Sequence, residues 1–175
     1  DADMMITGGA EAAVSELGRG GGGVQVGRAY FGWTRLGPGN WQFDFTRFDR
    51  YLELCEQAGV GDPISYVGMF STTGPTTIHY DDIDGTAQSL DCEPGSDAYA
   101  EAWGSFLEAL AAHCAERGSG SRLVIWPADR PSTEDDRARF ARAAEIVHAV
   151  DPAIRIAATA DGAENAVALL GHVDT

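Results

Sequence analysis

The feature that most limits what this 175-residue chain can fold into is a rhythm in its apolar residues. Short apolar runs closed by turn residues alternate with segments of helical apolar spacing. "VQVGRAYF" (Val24 to Phe31) reads as a strand. A helix follows from Thr46, with Phe48, Tyr51, Leu52 and Cys55 on one face and Gly59 as its stop. "ISYVGMF" (Ile64 to Phe70) is the next strand. The stripe Tyr99, Trp103, Phe106, Leu107, Leu110, Cys114 then predicts a long helix ending before Gly118. "RLVIW" (Arg122 to Trp126) is a third strand. Its helix opens at Ser132 or Thr133, with Glu134, Asp135 and Asp136 placed where negative charge suits the helix dipole. Phe140, Ala143, Ala144 and Val147 form its buried face, and Asp151-Pro152 ends it. "IRIAATA" (Ile154 to Ala160) is a fourth strand, with a short helix around Ala163 to Leu170. "AEAAVSEL" (Ala10 to Leu17) reads as a helix ahead of the first strand.

Apolar strands separated by helices mean a parallel sheet covered by helices, hence an α/β fold. About four β/α units in a single domain, residues 1–175, suit a small doubly wound sheet or half of a TIM-type (β/α)8 barrel. In both, ligands bind at the carboxyl ends of the strands. Those ends are Phe31-Gly32-Trp33, Phe70-Ser71-Thr72, Trp126-Pro127-Ala128-Asp129 and Thr159-Ala160-Asp161. Aromatic rings beside carboxylates are what a sugar site needs: a flat apolar face to stack on, with acceptors for hydroxyls. A strand-end aspartate also serves as a helix cap or turn residue, so this pattern alone does not make Asp129 an acid. The Gly/Thr/Asp-rich stretch from Ser71 to about Pro94 is too long for an ordinary connection. Within it, His79-Tyr80-Asp81-Asp82 is placed to reach over a site, or else is a solvated polar loop.

Charge narrows the choice of partner. All 12 basic residues are arginine, against 27 acids, for a net charge of −15. Phosphate backbones and anionic lipid repel such a chain, so no nucleic-acid or membrane-surface partner is expected. Without lysine there is no Schiff-base or P-loop chemistry. No apolar run approaches the roughly 18 residues of a membrane span. Cys55, Cys92 and Cys114 have no zinc spacing, and Cys55 and Cys114 sit at core positions of helices. Gly18 to Gly23 satisfies G-x-G-x-x-G, but it precedes a strand and cannot aim helix amides at a pyrophosphate. Asp82, Asp84, Gly85 and Asp91 imitate part of an EF-hand loop whose first ligand would be Tyr80, which argues against calcium. His113 and His148 lie within helices, as surface or boundary residues rather than ligands. No cofactor or metal is called for.

Two helical blocks carry a resemblance. "FDFTRFDRYLELCEQAGVGDPISYVGMF" (Phe43 to Phe70) and "EPGSDAYAEAWGSFLEALAAHCAERG" (Glu93 to Gly118) resemble the bacterial glycoside hydrolases of family 123 and relatives carrying the domain of unknown function 4091. "LVIWPADRP" (Leu123 to Pro131) falls where that family has its catalytic strand. The resemblance runs from about Val24 to Val150. It implies roughly half of an eight-stranded barrel, the other strands and flanking β-domains belonging to the rest of a longer protein. It also implies a glycan or glycoside substrate and, weakly, an extracytoplasmic location. A half-barrel alone has two open sheet edges and should be poorly stable or pair with something.

Active members of that family remove terminal β-linked N-acetylgalactosamine. A glutamic acid protonates the departing oxygen, and the aspartate before it orients the substrate's own 2-acetamido group, a substrate-assisted exception to the two-carboxylate scheme. On this chain Arg130 and Pro131 match the family pattern. Asp129 takes the glutamate's place one methylene short, and Ala128 takes the aspartate's place with nothing to offer an acetamido nitrogen. Three readings stay open. Asp129 is the acid of a hydrolase for sugars lacking the acetamido group, its nucleophile supplied by the missing strands. Or the cleft binds carbohydrate without cleaving it. Or Asp161, ending the next strand, is the second carboxylate. Asp129 is thus the catalytic candidate, with Trp33, Trp126, Arg130, Asp161, His79 and Tyr80 as candidate sugar contacts.

Overall fold

The computed structural model describes residues 24–160 and 162–173. The helix expected over Ala10 to Leu17 and the glycine run to Gly23 lie outside them, as does Asp161. In chain order the elements are β1 (Val24–Val26), β2 (Gly32–Gly37), β3 (Asn40–Asp44), α1 (Thr46–Gln57), β4 (Ile64–Val67), β5 (Thr77–Asp82) and β6 (Ala87–Asp91). They continue with α2 (Asp97–Glu116), β7 (Leu123–Trp126), α3 (Glu134–Val150), β8 (Arg155–Ile156) and α4 (Ala163–Leu169).

The four strands expected from the apolar rhythm form one parallel sheet, in the order β1-β4-β7-β8. Each follows its neighbour in chain order, and a helix returns the chain between them. Among the described residues the outer edges of β1 and β8 have no partner strand, and no closed barrel forms. Every strand is shorter than its apolar run. "VQVGRAYF" is extended only through Val26, because Arg28–Tyr30 tightens into a 3-10 turn. "IRIAATA" pairs only at Arg155 and Ile156.

A second sheet, β3-β2-β5-β6, was not expected. Hairpin β2–β3 fills the connection after β1, and hairpin β5–β6 fills the long Ser71 to Pro94 stretch. The two hairpins join through parallel pairing of β2 with β5, Thr34 opposite Asp81 and Arg35 opposite Asp82. The turn of β5–β6 is closed by Asp82, whose carboxylate accepts the Asp84 and Thr86 amides at 3.0 and 2.9 Å. Gly85 takes φ +78° there, a conformation that favours glycine. The acids that imitate a calcium loop are turn and strand residues. Among the described residues no group of three His, Cys, Asp or Glu is placed to hold a metal.

The helices read from periodicity bury the expected faces. Phe48, Tyr51, Leu52 and Cys55 of α1 are buried. So are the stripe of α2 and Phe140, Ala143, Ala144 and Val147 of α3. Phe106 on α2 is the hub of an aromatic core, with ring centroids 5.0 Å from Phe31, 4.7 Å from Trp33, 5.3 Å from Phe43 and 5.4 Å from Tyr66. Tyr66 belongs to the parallel sheet while Trp33 and Phe43 belong to the second sheet, so one helix glues the two sheets together. At its far end His113 stacks on Phe45 and bonds the Asp49 carboxylate at 2.7 Å. No helix among the described residues is long and apolar enough to cross a membrane.

Candidate functional site

Backbone hydrogen bonds gather the carboxyl ends of the parallel strands. The Gly68 amide donates to the Trp126 carbonyl at 3.0 Å, and the Met69 and Phe70 amides both donate to Pro127 at 2.7 and 3.1 Å. The Ala157 amide donates to Ile125. The segment Pro127 to Arg130 is thereby held between the exits of β4 and β8, on the carboxyl rim where α/β proteins carry their sites.

Asp129 stands three residues beyond β7, with 66% of its side chain exposed. The Thr159 hydroxyl donates to its carboxylate at 3.0 Å and accepts the Arg130 amide at 3.1 Å, so one threonine after β8 steadies both residues. The Arg130 guanidinium lies 3.6 Å from the same carboxylate. Arg130 has φ +47°, a left-handed conformation costing a residue with a Cβ about 1–2 kcal/mol, which the Thr159 bond helps to hold. Asp129 is not spent as a cap. The cap of α3 is Thr133, whose hydroxyl accepts the Asp136 amide at 3.0 Å while the Asp136 carboxylate accepts the Thr133 amide at 3.1 Å. Burial opposes the charge on Asp136, yet the bonds from Thr133 and Ser132, with Arg139 nearby, hold its carboxyl below the ordinary range.

Beside this turn lies a cleft of about 400 Å³, lined by Gly68 to Ser71 after β4, Pro75 to His79 leading into and along β5, Trp103 of α2, and Arg28 after β1. Arg28 is half-buried, with its guanidinium 5.0 Å from the centroid of the Trp33 ring, a cation–π contact. Its Nε is buried without a hydrogen-bond partner among the described residues, as is Trp103 Nε1 on the same wall. Burial lowers the pKa of the guanidinium from its ordinary value, against a small opposing effect of Tyr66. A second arginine fastens the outer wall. Arg139 of α3 donates to the Ser71 carbonyl at 3.0 Å, the Thr76 hydroxyl at 2.9 Å and the Glu93 carboxylate at 2.6 Å, and lies over the Phe70 ring.

The structure divides the residues singled out from sequence. Asp129 and Arg130 share one turn, next to Trp126, which is partly covered with its Nε1 buried. His79 lines the cleft, while Tyr80 points to the other face of β5, edge-on to Trp41 at 5.2 Å. Trp33 is withdrawn from the rim: it is 3% exposed, stacked on Phe106 with Arg28 against it, and has no free ring face for a sugar. It belongs to β2, because the chain turns at Arg28–Tyr30 before reaching it. Two residues were missed. Arg28 was hidden inside what read as one continuous strand, although an arginine in an apolar run is itself a signal that the run is broken. Thr159 carried no signal beyond its strand-end position.

Residues 21–169 match the glycoside hydrolase 123 catalytic domain. No curated protein matches the chain. Among solved structures, a family 123 glycoside hydrolase from Clostridium perfringens, described for glycolipid glycan hydrolysis, superposes with a TM-score of 0.73 at 19% identity. The alignment covers 94% of this chain and 32% of that one, so this chain spans about a third of its length.

Proposed function

The chain belongs to glycoside hydrolase family 123, and we propose that the carboxyl rim of its parallel sheet meets a glycoside, with Asp129 as the acid that protonates the departing oxygen. The observation that carries this reading is the state of Asp129: it is exposed on the rim, steadied by Thr159 and left free by a helix that caps itself with Thr133. A general acid must bring its proton within hydrogen-bond reach of the leaving oxygen, and contributes about 10²- to 10⁴-fold when it does. Arg130 and Trp126 flank it as substrate contacts. The chain-ordered parallel strands, whose outer edges have no partner strand among the described residues, support a further element of the proposal, that they are consecutive strands of a (β/α)8 barrel completed by the rest of a longer protein.

Ala128 favours a narrower specificity than the family's. It is fully buried, and no carboxylate adjoins Asp129 on its amino-terminal side to orient a 2-acetamido group. Aryl β-N-acetylgalactosaminide should therefore turn over weakly, and aryl glycosides without the acetamido group should be preferred. Asp129→Asn should lower kcat on the preferred aryl glycoside by about 10²-fold or more. Equal turnover by the parent and Asp129→Asn would overturn the assignment. The buried Ala128 also supports a second reading, a cleft that binds glycans without hydrolysing them. That reading predicts glycan affinity unchanged by Asp129→Asn and no release of aglycone from any glycoside. Asp161 remains a proposed second carboxylate or sugar contact.

A further inference from the structure

We infer that the cleft around Arg28 receives an anionic substituent of the substrate, a carboxylate or sulfate, so that the glycan recognised is an acidic one. The inference rests on the carbohydrate reading above and names its substrate class.

The chain carries 27 acids and a net charge of −15, yet among the described residues not one acid lines this cleft. Its ionisable lining residues are Arg28 and His79, joined by the hydroxyls of Ser71, Thr76 and Thr77. Among the described residues Arg28 forms no ion pair. Two other arginines near the rim behave differently: Arg130 faces Asp129, and Arg139 faces Glu93 and Asp136. A half-buried guanidinium without a carboxylate is costly, because burial weakens its hydration and the cation–π contact with Trp33 returns only part of the loss. A site that receives an anion recovers that cost on binding. The rigid fork of guanidinium donors matches the two oxygens of a carboxylate, or two oxygens of a sulfate. The setting is also suited to hold the fork in place, since Trp33 lies under it and is itself locked against Phe106.

Position supplies the second half of the inference. Gly68, Met69 and Phe70 line the cleft, and their amides are bonded to the carbonyls of Trp126 and Pro127, three and two residues before Asp129. The cleft and the Asp129 turn thus share the Gly68 to Phe70 segment as a common wall, so that a sugar chain meeting that turn can extend toward Arg28. Arg137 also forms no ion pair among the described residues, but its guanidinium is bonded to the Ser132 carbonyl and the Asn165 side chain, whereas Arg28 Nε has no such partner there.

The test uses the full chain and calorimetric titration with four probes: methyl β-glucuronide, the 6-sulfate of methyl β-galactoside, neutral methyl β-galactoside and inorganic sulfate. The expected result is that one or both charged sugars bind at least about tenfold more tightly than the neutral one, as a charge-assisted contact requires. The preference should fade as sodium chloride rises from about 20 to about 500 mM, where screening becomes short-ranged. Arg28→Gln should abolish the preference and Arg28→Lys should retain part of it. The salt titration of the parent chain stands even if an Arg28 variant fails to fold. Preference for the carboxylate over the sulfate, or the reverse, identifies the substituent. Equal binding of neutral and charged sugars, or a preference unchanged by salt, would overturn the inference and leave the carbohydrate reading intact. Sulfate bound through Arg28 with no sugar bound at all would overturn the carbohydrate reading and, with it, the acidic-glycan assignment.

Discussion

Replacing Arg139 by methionine tests whether the wall of the cleft is fastened by one side chain. The aliphatic stem and its packing on Phe70 are largely kept, while three hydrogen-bonded contacts are lost together with a long ion pair to Asp136 at 3.9 Å, which adds little. The bonds to the Ser71 carbonyl and the Thr76 hydroxyl are each worth about 1 kcal/mol net, since Thr76 is buried and Arg139 itself is 13% exposed. Glu93 is half exposed, so its pairing adds no more than about 1 kcal/mol. The sum is about 3 kcal/mol. At about 2–4 °C per kcal/mol for a domain of this size, the midpoint should fall by about 6–12 °C in a calorimetric melt. Glu93→Gln alone should cost about 1 kcal/mol, and the double variant should lose little more than Arg139→Met, because both act on one network. A fall of less than about 2 °C, or fully additive single effects, would refute the view that Arg139 ties α3 to the Ser71–Thr76 segment. The same variant should weaken sugar binding, since Ser71 and Thr76 both line the cleft.

Two further outcomes follow from the titratable groups. Asp136 has a depressed folded-state pKa, so its contribution to stability is present above the unfolded value of about 3.9 and is lost as pH falls through the lower folded value. Asp136→Asn should therefore cost about 1 kcal/mol at pH 7 in urea denaturation, the difference from the parent shrinking below about pH 4. The thiols should be inert in the native protein: burial, with Glu93 and Asp91 nearby, pushes Cys92 up to about 11, and Cys55 and Cys114 are fully buried and raised by burial. A chromogenic thiol reagent at pH 8 should react slowly with the folded chain and at once when denaturant is added. Rapid labelling without denaturant would contradict the buried placement.

What the sequence disclosed depended on how much of a signal each element carried. The helices were readable because Phe48, Tyr51, Leu52 and Cys55, or Tyr99 through Cys114, repeat at helical spacing over several turns. The parallel strands were readable as apolar runs, but their ends were not, since "VQVGRAYF" stays apolar past the point where Arg28–Tyr30 turns. The second sheet was missed because its strands are largely exposed and carry few apolar residues. In β3 only Trp41 and Phe43 alternate inward, and in β5 only Ile78 is buried. Asp84-Gly85 between β5 and β6 was the available hairpin signal, and it was weighed as a metal loop instead. The acid on the rim was legible from the strand-end rule. The cation in the cleft was not, because its lack of a counter-charge is a property of three-dimensional neighbours.

The pairing of β2 with β5 has a consequence for how this face can change. In most α/β proteins the loops above successive strands vary independently, so specificity is altered one loop at a time. Here the extensions above β1 and β4 share backbone hydrogen bonds at Thr34–Asp81 and Arg35–Asp82. An insertion in one hairpin shifts the register of the other and moves His79 relative to Arg28. Diversification of this surface must therefore proceed by side-chain replacement or by matched changes in both hairpins.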